Sequence, residues 1–96
     1  MYKIRKTQVF SDWFDGLRDD QARARVAFRL DRLAGGNAGD TRPVGEGVSE
    51  LRIHYGPGYR VYYKKQGNVV IVVLAGGSKK SQSRDIQSAL DLARKL

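Results

Sequence analysis

The 96-residue sequence contains no cysteine and only one histidine. A disulfide, a thiolate nucleophile and a cysteine-ligated metal site are therefore excluded, and a zinc site would lack its usual ligands. The acidic residues do not cluster as a metal-dependent nuclease would require. A Walker A loop and the Gly-x-Ser-x-Gly elbow of hydrolases are also missing. We expect a protein that uses neither a metal nor a cofactor.

Long hydrophobic runs are missing as well. The longest, VVIVVLA at residues 69–75, is far below the roughly 20 residues that cross a bilayer. The opening residues MYKIRKTQVF lack the apolar stretch of a signal peptide. A chain of this length fits one domain, residues 1–96. We therefore expect a single-domain cytoplasmic protein without a membrane partner.

Acidic residues are scarce relative to basic ones. Eighteen Lys and Arg face ten Asp and Glu, which gives a net charge of +8. Such a surplus attracts polyanions, for which nucleic acid, an acidic protein and anionic lipid are the candidates. The alternative is a basic protein with no such partner, and polyanion binding is the favoured interpretation.

The N-terminal half predicts one strand and two helices. Residues 2–9 alternate loosely, as in a strand. Ser11 is a plausible N-cap for a short helix, and Asp19 or Asp20 for a longer one that Gly35 and Gly36 end. Residues 35–47 are rich in glycine and predict a loop. Arg25, Arg29 and Arg32 form a stripe on the longer helix, either solvated or available to an acidic partner or RNA.

The C-terminal half predicts three hairpin-linked strands and a helix. VSELRIHY and YRVYYKK alternate as half-buried strands do, whereas VVIVVLA is apolar throughout and indicates a central strand covered on both faces. Residues 82–95 repeat apolar positions at helical spacing. The expected fold is α+β, in the order β-α-α-β-β-β-α, with a mainly antiparallel sheet and the N-terminal helices on one face.

Two places are candidate functional sites. The polar face of the alternating strands combines cations with an aromatic ring, a pattern typical of RNA binding or of a solvated sheet face: Arg52, His54, Arg60, Tyr62 and Lys64. The segment AGGSKKSQS is the second place. Gly76 and Gly77 would end the strand, and Lys79 and Lys80 would precede a helix N-terminus, which indicates either an anion site or an ordinary connection.

Metal-free RNA cleavage is compatible with these residues. The ribose 2′-OH attacks the adjacent phosphate, and the protein orients the reactants and stabilises the charge of the transition state. Arginine and lysine supply the electrostatic part, and His54, Tyr62 or a lysine is a candidate for proton transfer. DNA is excluded as a substrate because it lacks that hydroxyl.

The segments ELRIHYGPGYRVYY and GGSKKSQSRDIQSALDLA resemble the RelE/ParE toxin superfamily, and most closely its HigB-like branch, the addiction-module killer proteins. The specific part of the resemblance covers residues 48–93. It implies a toxin that cleaves mRNA in the ribosomal A site without a metal. It also implies an antitoxin from the same operon, commonly a helix-turn-helix protein. The partners are therefore expected to be an antitoxin, the ribosome and mRNA.

The resemblance also implies roles for single residues. Arg60 stands where RelE-type toxins carry a phosphate-stabilising arginine, Lys79 and Lys80 stand in the basic loop after the last long strand, and Arg52 lies near another basic position. RelE has a catalytic tyrosine in its C-terminal segment, and SQSRDIQSAL contains neither Tyr nor His. The general base is therefore open among His54, Tyr62, Lys79 and Lys80, and the alternative is that catalysis depends mostly on orientation and charge. Lys64, Ser81 and Gln82 are expected to contact RNA.

Two other functions are compatible with the same residues. A ParE-like toxin would inhibit DNA gyrase and cleave nothing, and the shared fold does not distinguish it from a nuclease. A plain nucleic-acid-binding module would be harmless when it is expressed without an antitoxin.

Overall fold

The backbone of residues 1–96 forms five strands and three α-helices in this computed structural model. In chain order the elements are β1 (Lys3–Lys6), α1 (Gln8–Asp15), α2 (Asp20–Ala34), β2 (Thr41–Gly45), β3 (Val48–Ile53), β4 (Tyr59–Gln66), β5 (Val70–Ser78), a 3-10 turn (Lys79–Ser81) and α3 (Gln82–Arg94). The expected α+β fold is confirmed, with one additional strand, β2. None of the helices is both long and apolar enough to cross a lipid bilayer.

The strands form one sheet in the order β1-β5-β4-β3-β2. β1 and β5 are parallel, and the other neighbours are antiparallel. One apolar layer joins the sheet to α1 and α2, and a second joins its other face to α3. β5 contributes to both, with Ile71 and Val73 in the first layer and Val72 and Leu74 in the second. The prediction that this strand is covered on both faces is confirmed.

A bulge in β5 changes which residues face α3. Tyr62 is paired with Ala75 and Tyr63 with Val73, so Leu74 between them has no partner on β4. Its carbonyl instead accepts a hydrogen bond from the Thr7 hydroxyl at 2.5 Å. Leu74 and Ala75 consequently both belong to the layer under α3. After the bulge, Gly76 faces α1 and Gly77 faces α3, whereas strict alternation along β5 predicts the reverse.

The glycines Gly76 and Gly77 lie inside β5, and the prediction that they end the strand is wrong. A Cβ on Gly76 would lie 2.2 Å from the Trp13 ring, and one on Gly77 would lie 1.8 Å from the Asp85 carboxylate. Side chains from the two helical layers therefore pack directly on the β5 backbone. These glycines make room for Trp13 and Asp85, so they do not support close approach of a ligand.

The N-caps of the first two helices are short polar side chains. Thr7 caps α1 and accepts a hydrogen bond from the Phe10 amide at 3.1 Å. The prediction that Ser11 is this cap is wrong, because Ser11 lies within the helix. Asp19 caps α2, as predicted, and accepts from the amides of Gln21 and Ala22 at 2.9 and 3.3 Å.

The segment predicted as a loop at residues 35–47 contains the edge strand β2. Pro43 is tolerated there because an edge strand needs hydrogen bonds on one side only. Arg29 of α2 holds the entry to this strand: its guanidinium donates to the carbonyls of Arg52, Ala38 and Asp40 at 2.6, 3.1 and 3.2 Å. Arg29 is therefore a structural residue, and neither interpretation of the arginine stripe applies to it.

Candidate functional site

Arg60 lies on β4, on the face of the sheet that α3 partly covers. Its side chain is only 12% exposed, and its Nη1 donates to the Gly58 carbonyl at 2.8 Å. Its Nε is buried without a hydrogen-bond partner and lies 3.9 Å from Oε2 of Glu50. A guanidinium offers five N–H donors. Arg60 is therefore held in place with donating capacity left for an anion.

The basic turn, defined as Lys79–Ser81, is attached to the same point of the fold. The Lys79 amide donates to the Gly58 carbonyl at 2.8 Å, so one oxygen serves both Arg60 and the turn. The side chains of Lys79 and Lys80 are exposed. The structure thus brings Arg60 and the basic turn together, although they are about 20 residues apart in sequence.

A groove of about 670 Å³ opens at the basic turn and is lined entirely by polar and charged residues, at positions 78–84. The predicted anion site at the following helix start is already partly occupied by a carboxylate. Asp85 lies in the first turn of α3, and its Oδ2 accepts a hydrogen bond from Ser81 Oγ at 2.5 Å. A polyanion in this groove would therefore interact with the exposed ammonium groups of the turn more than with the helix N-terminus.

Glu50 on β3 is a site residue that the sequence analysis missed. It is 0% exposed, and it is the only charged residue among the fully buried side chains. Its Oε1 accepts from Arg42 Nε at 2.8 Å, and its Oε2 accepts from Tyr62 and Gln82 at 3.0 and 2.9 Å. Burial alone would raise the pKa of Glu50, but these hydrogen bonds outweigh it and hold the pKa below its ordinary value. Glu50 is thus a buried carboxylate.

Tyr62 is part of the core, and its predicted place on an exposed sheet face is wrong. Its side chain is 0% exposed and packs with Val72, Leu74 and Ala89 under α3. Burial, together with the neighbouring Glu50 carboxylate, raises the pKa of the Tyr62 hydroxyl above its ordinary value. A ring in this position cannot stack on a nucleotide base, and its hydroxyl has no access to a bound substrate.

Arg52 and His54 form a separate cluster with Asp40. Arg52 Nη2 and His54 Nε2 lie 2.7 and 2.5 Å from the two oxygens of the Asp40 carboxylate. The hydrogen bond from His54, and after it the bond from Arg52, lower the pKa of Asp40. Arg52 is the backbone partner of Arg60 across the two strands. Its guanidinium is nevertheless engaged with Asp40 near β2, so the cations of the predicted face do not form one continuous group.

The three residues expected to contact RNA have different surroundings. Ser81 and Gln82 lie at the groove, but their side chains are bonded to Asp85 and Glu50. Lys64 is partly exposed and is paired in the sheet with Val48 and Val72, four residues along β4 from Arg60. Lys64 is therefore on the predicted face but outside the group formed by Arg60 and the basic turn.

Three comparisons find known proteins that resemble this chain over most of its length. The model of the phage-derived Gp49-like family (DUF891) matches residues 12–96. The chain belongs to this family.

A Haemophilus influenzae (strain Rd) protein described as uncharacterized is 43% identical over 94 residues, which cover 98% of this chain and 95% of that protein. The solved structure of a doubly substituted mutant of the E. coli toxin RelE in the free state superimposes with a TM-score of 0.74. The superposition covers 99% of this chain and 97% of the RelE chain, and the two sequences are 13% identical. This Gp49-like protein therefore has the RelE fold, and a likeness at this identity establishes the fold alone.

The signal that could have revealed Glu50 was present in the sequence. Glu50 is the one acidic residue in VSELRIHY, and strand alternation places it on the same face as Arg52. Both interpretations of that face, RNA binding and a solvated sheet face, leave its side chains exposed, and an exposed acid needs no partner. Because α3 covers this part of the face, Glu50 is buried and its carboxylate requires hydrogen-bond partners.

Proposed function

We propose that this chain is the toxin of a type II toxin–antitoxin pair, in the HigB-like branch, and that it cleaves mRNA on the ribosome without a metal. The observation that carries the proposal is Arg60. A largely buried guanidinium, which makes one hydrogen bond within the protein, stands beside two exposed lysines, on the fold of an E. coli toxin. Such a group is suited to a phosphate whose negative charge increases during the reaction.

The proposed reaction uses the substrate's own nucleophile. The ribose 2′-oxygen attacks the adjacent phosphorus and loses its proton, the bond from phosphorus to the 5′-oxygen breaks, and that oxygen gains a proton. The products are a 2′,3′-cyclic phosphate and a 5′-hydroxyl. Arg60 binds the phosphoryl oxygens, Lys79 and Lys80 hold the backbone, and the ribosome presents the mRNA. An antitoxin, of helix-turn-helix type, is the proposed partner in the cytoplasm.

The surroundings of Arg60 favour a second candidate, a gyrase-inhibiting toxin without nuclease activity. Tyr62 is buried, His54 is bonded to Asp40, and α3 contains neither tyrosine nor histidine. Among the predicted bases only Lys79 and Lys80 are exposed near Arg60. A toxin that blocks gyrase needs no proton-transfer group. The experiment below therefore distinguishes the gyrase inhibitor from the mRNA nuclease.

Expression of Arg60→Ala tests the nuclease. The wild-type chain, induced without the neighbouring gene, is expected to arrest growth and to produce transcript ends at codon-linked positions. Arg60→Ala is expected to remove the cuts and the arrest, because removal of a charged group that stabilises a transition state costs about 100-fold or more in rate.

Arg18→Ala is the matched control, since Arg18 is exposed in the α1–α2 connection and makes no ion pair. It should cut and arrest like the wild type. Arrest with intact transcripts and trapped gyrase–DNA breaks would contradict the nuclease and support the gyrase inhibitor. Harmless expression of the wild type would exclude both.

A further inference from the structure

Glu50 connects its own strand, β3, with three other elements of the site through one carboxylate. Arg42 comes from β2, Tyr62 and Arg60 from β4, and Gln82 from the start of α3. The carboxylate is 0% exposed, so water does not supply alternative partners. A buried charge of this kind is retained only where its partners are well placed, because an unpaired one is strongly destabilising.

The position of Arg60 depends on two contacts. The Gly58 carbonyl accepts from Nη1 at 2.8 Å, and the Glu50 carboxylate lies 3.9 Å from Nε. The first fixes one end of the guanidinium, and the second supplies the negative charge that keeps the Nε edge turned inward. No other acidic side chain lies within ion-pair distance of Arg60. Without Glu50, the one polar contact left to fix the guanidinium would be its hydrogen bond to the Gly58 carbonyl.

We propose that Glu50 is a positioning residue that holds the Arg60 guanidinium in place beside the basic turn and docks the start of α3 next to it. This inference rests on the proposed nuclease function and goes beyond it by assigning a role to a buried acid. Glu50 does not touch the substrate and transfers no proton, because it is fully buried and all its hydrogen bonds are made within the protein. It acts through Arg60 and Gln82.

Glu50→Gln tests the proposal with little change of shape. The amide has one acceptor oxygen and one donor nitrogen. In one orientation its nitrogen faces one donor, Arg42 Nε, and in the other it faces two, from Tyr62 and Gln82, so either orientation sets at least one donor against another. We expect kcat for ribosome-dependent cleavage to fall about 100-fold while KM changes less than about twofold, because the damage affects orientation and not binding.

The side-chain NMR signal of the Arg60 Nε–H group provides a measurement that does not require activity. The group is buried in the wild type, so its proton should exchange slowly with water. Glu50→Gln should accelerate that exchange and broaden the signal, which is assigned by its loss in Arg60→Ala. Glu50→Asp retains the charge but shortens the side chain, so it should be intermediate in both kcat and exchange. It also decides the matter if Glu50→Gln does not fold.

Ile71→Val is the stability control. Ile71 is fully buried in the layer on the opposite face of the sheet, against α1 and α2. It should lower stability without altering kcat or the Arg60 signal. If the folded Glu50→Gln and Glu50→Asp proteins keep the wild-type kcat and the wild-type exchange rate of the Arg60 Nε–H proton, the proposal is overturned. An equal loss of kcat in Ile71→Val would also overturn it. If the wild-type chain cleaves no mRNA, the proposed function fails, and the exchange measurement still decides whether Glu50 positions Arg60.

Discussion

Gly58 joins Arg60 to the basic turn through a single carbonyl, and its backbone lies in the left-handed region that favours glycine. Its φ is +79°, and an added Cβ would lie 3.0 Å from Arg60 Nη1. Gly58→Ala should destabilise the fold by about 1–2 kcal/mol through left-handed strain. It should also displace the guanidinium and, under the proposed function, weaken growth arrest. Urea unfolding and induction of the variant measure the two effects separately.

Gly67→Ala separates strain from displacement. Gly67 has a φ of +66°, and nothing lies within 4 Å of an added Cβ there. It should lose similar stability and still arrest growth. If Gly58→Ala and Gly67→Ala arrest growth equally well, the position that Gly58 gives to Arg60 does not matter for function.

At single positions, sequence patterns predict the face of a strand better than its exposure. Alternation correctly placed Arg60 and Tyr62 on one side of β4, but it did not reveal that α3 covers part of that side. Tyr62 is therefore buried, whereas Arg60, two residues away, keeps contact with the surface. The same cover makes Glu50 a buried acid. Burial depends on tertiary packing between β4 and a helix about 20 residues later, which local periodicity does not contain.

At the scale of elements, the contact between α1 and β5 depends on a missing side chain. The Trp13 ring lies where a Cβ on Gly76 would be, at 2.2 Å. Gly76→Ala should destabilise the protein by about 3 kcal/mol, because overpacking moves a ring that also packs with Phe10 and Tyr59. Thermal unfolding of Gly76→Ala, Trp13→Leu and the double variant tests this. Trp13→Leu should lower the stability less when Gly76→Ala is already present. Additive losses of stability in the double variant would contradict the contact between Trp13 and Gly76.

The element that the sequence did not reveal is β2. Its residues, TRPVG, follow a glycine-rich stretch and contain a proline, so no strand period survives. The strand exists because β3 offers an unpaired edge and because Arg29 holds the entry to it through backbone carbonyls. Helices with long apolar stripes, such as α2 and α3, were predicted within a residue or two, since their period is a local property.

At the scale of the whole molecule, the carboxylates are few and several are held charged. Hydrogen bonds from Tyr55, His54 and Arg94 are the largest influences that lower the pKa values of Asp19, Asp40 and Glu46, and the pKa of Glu50 is lowered too. A carboxyl whose pKa is depressed by folding stabilises the protein above its unfolded pKa. That contribution is lost as the pH falls through the folded value.

We therefore expect the free energy of unfolding to be nearly constant above about pH 5.5 and to fall steadily below about pH 4.5. The excess of positive charge steepens the fall, because each protonated acid adds to the self-repulsion of a chain that already carries +8. Urea unfolding between pH 3 and 7, followed by the fluorescence of Trp13, the one tryptophan, measures the curve. Asp40→Asn removes one of the depressed groups and should give a shallower slope. A stability that rises on acidification, or an unchanged slope in Asp40→Asn, would show that the bonds of Arg52 and His54 to Asp40 do not persist in solution.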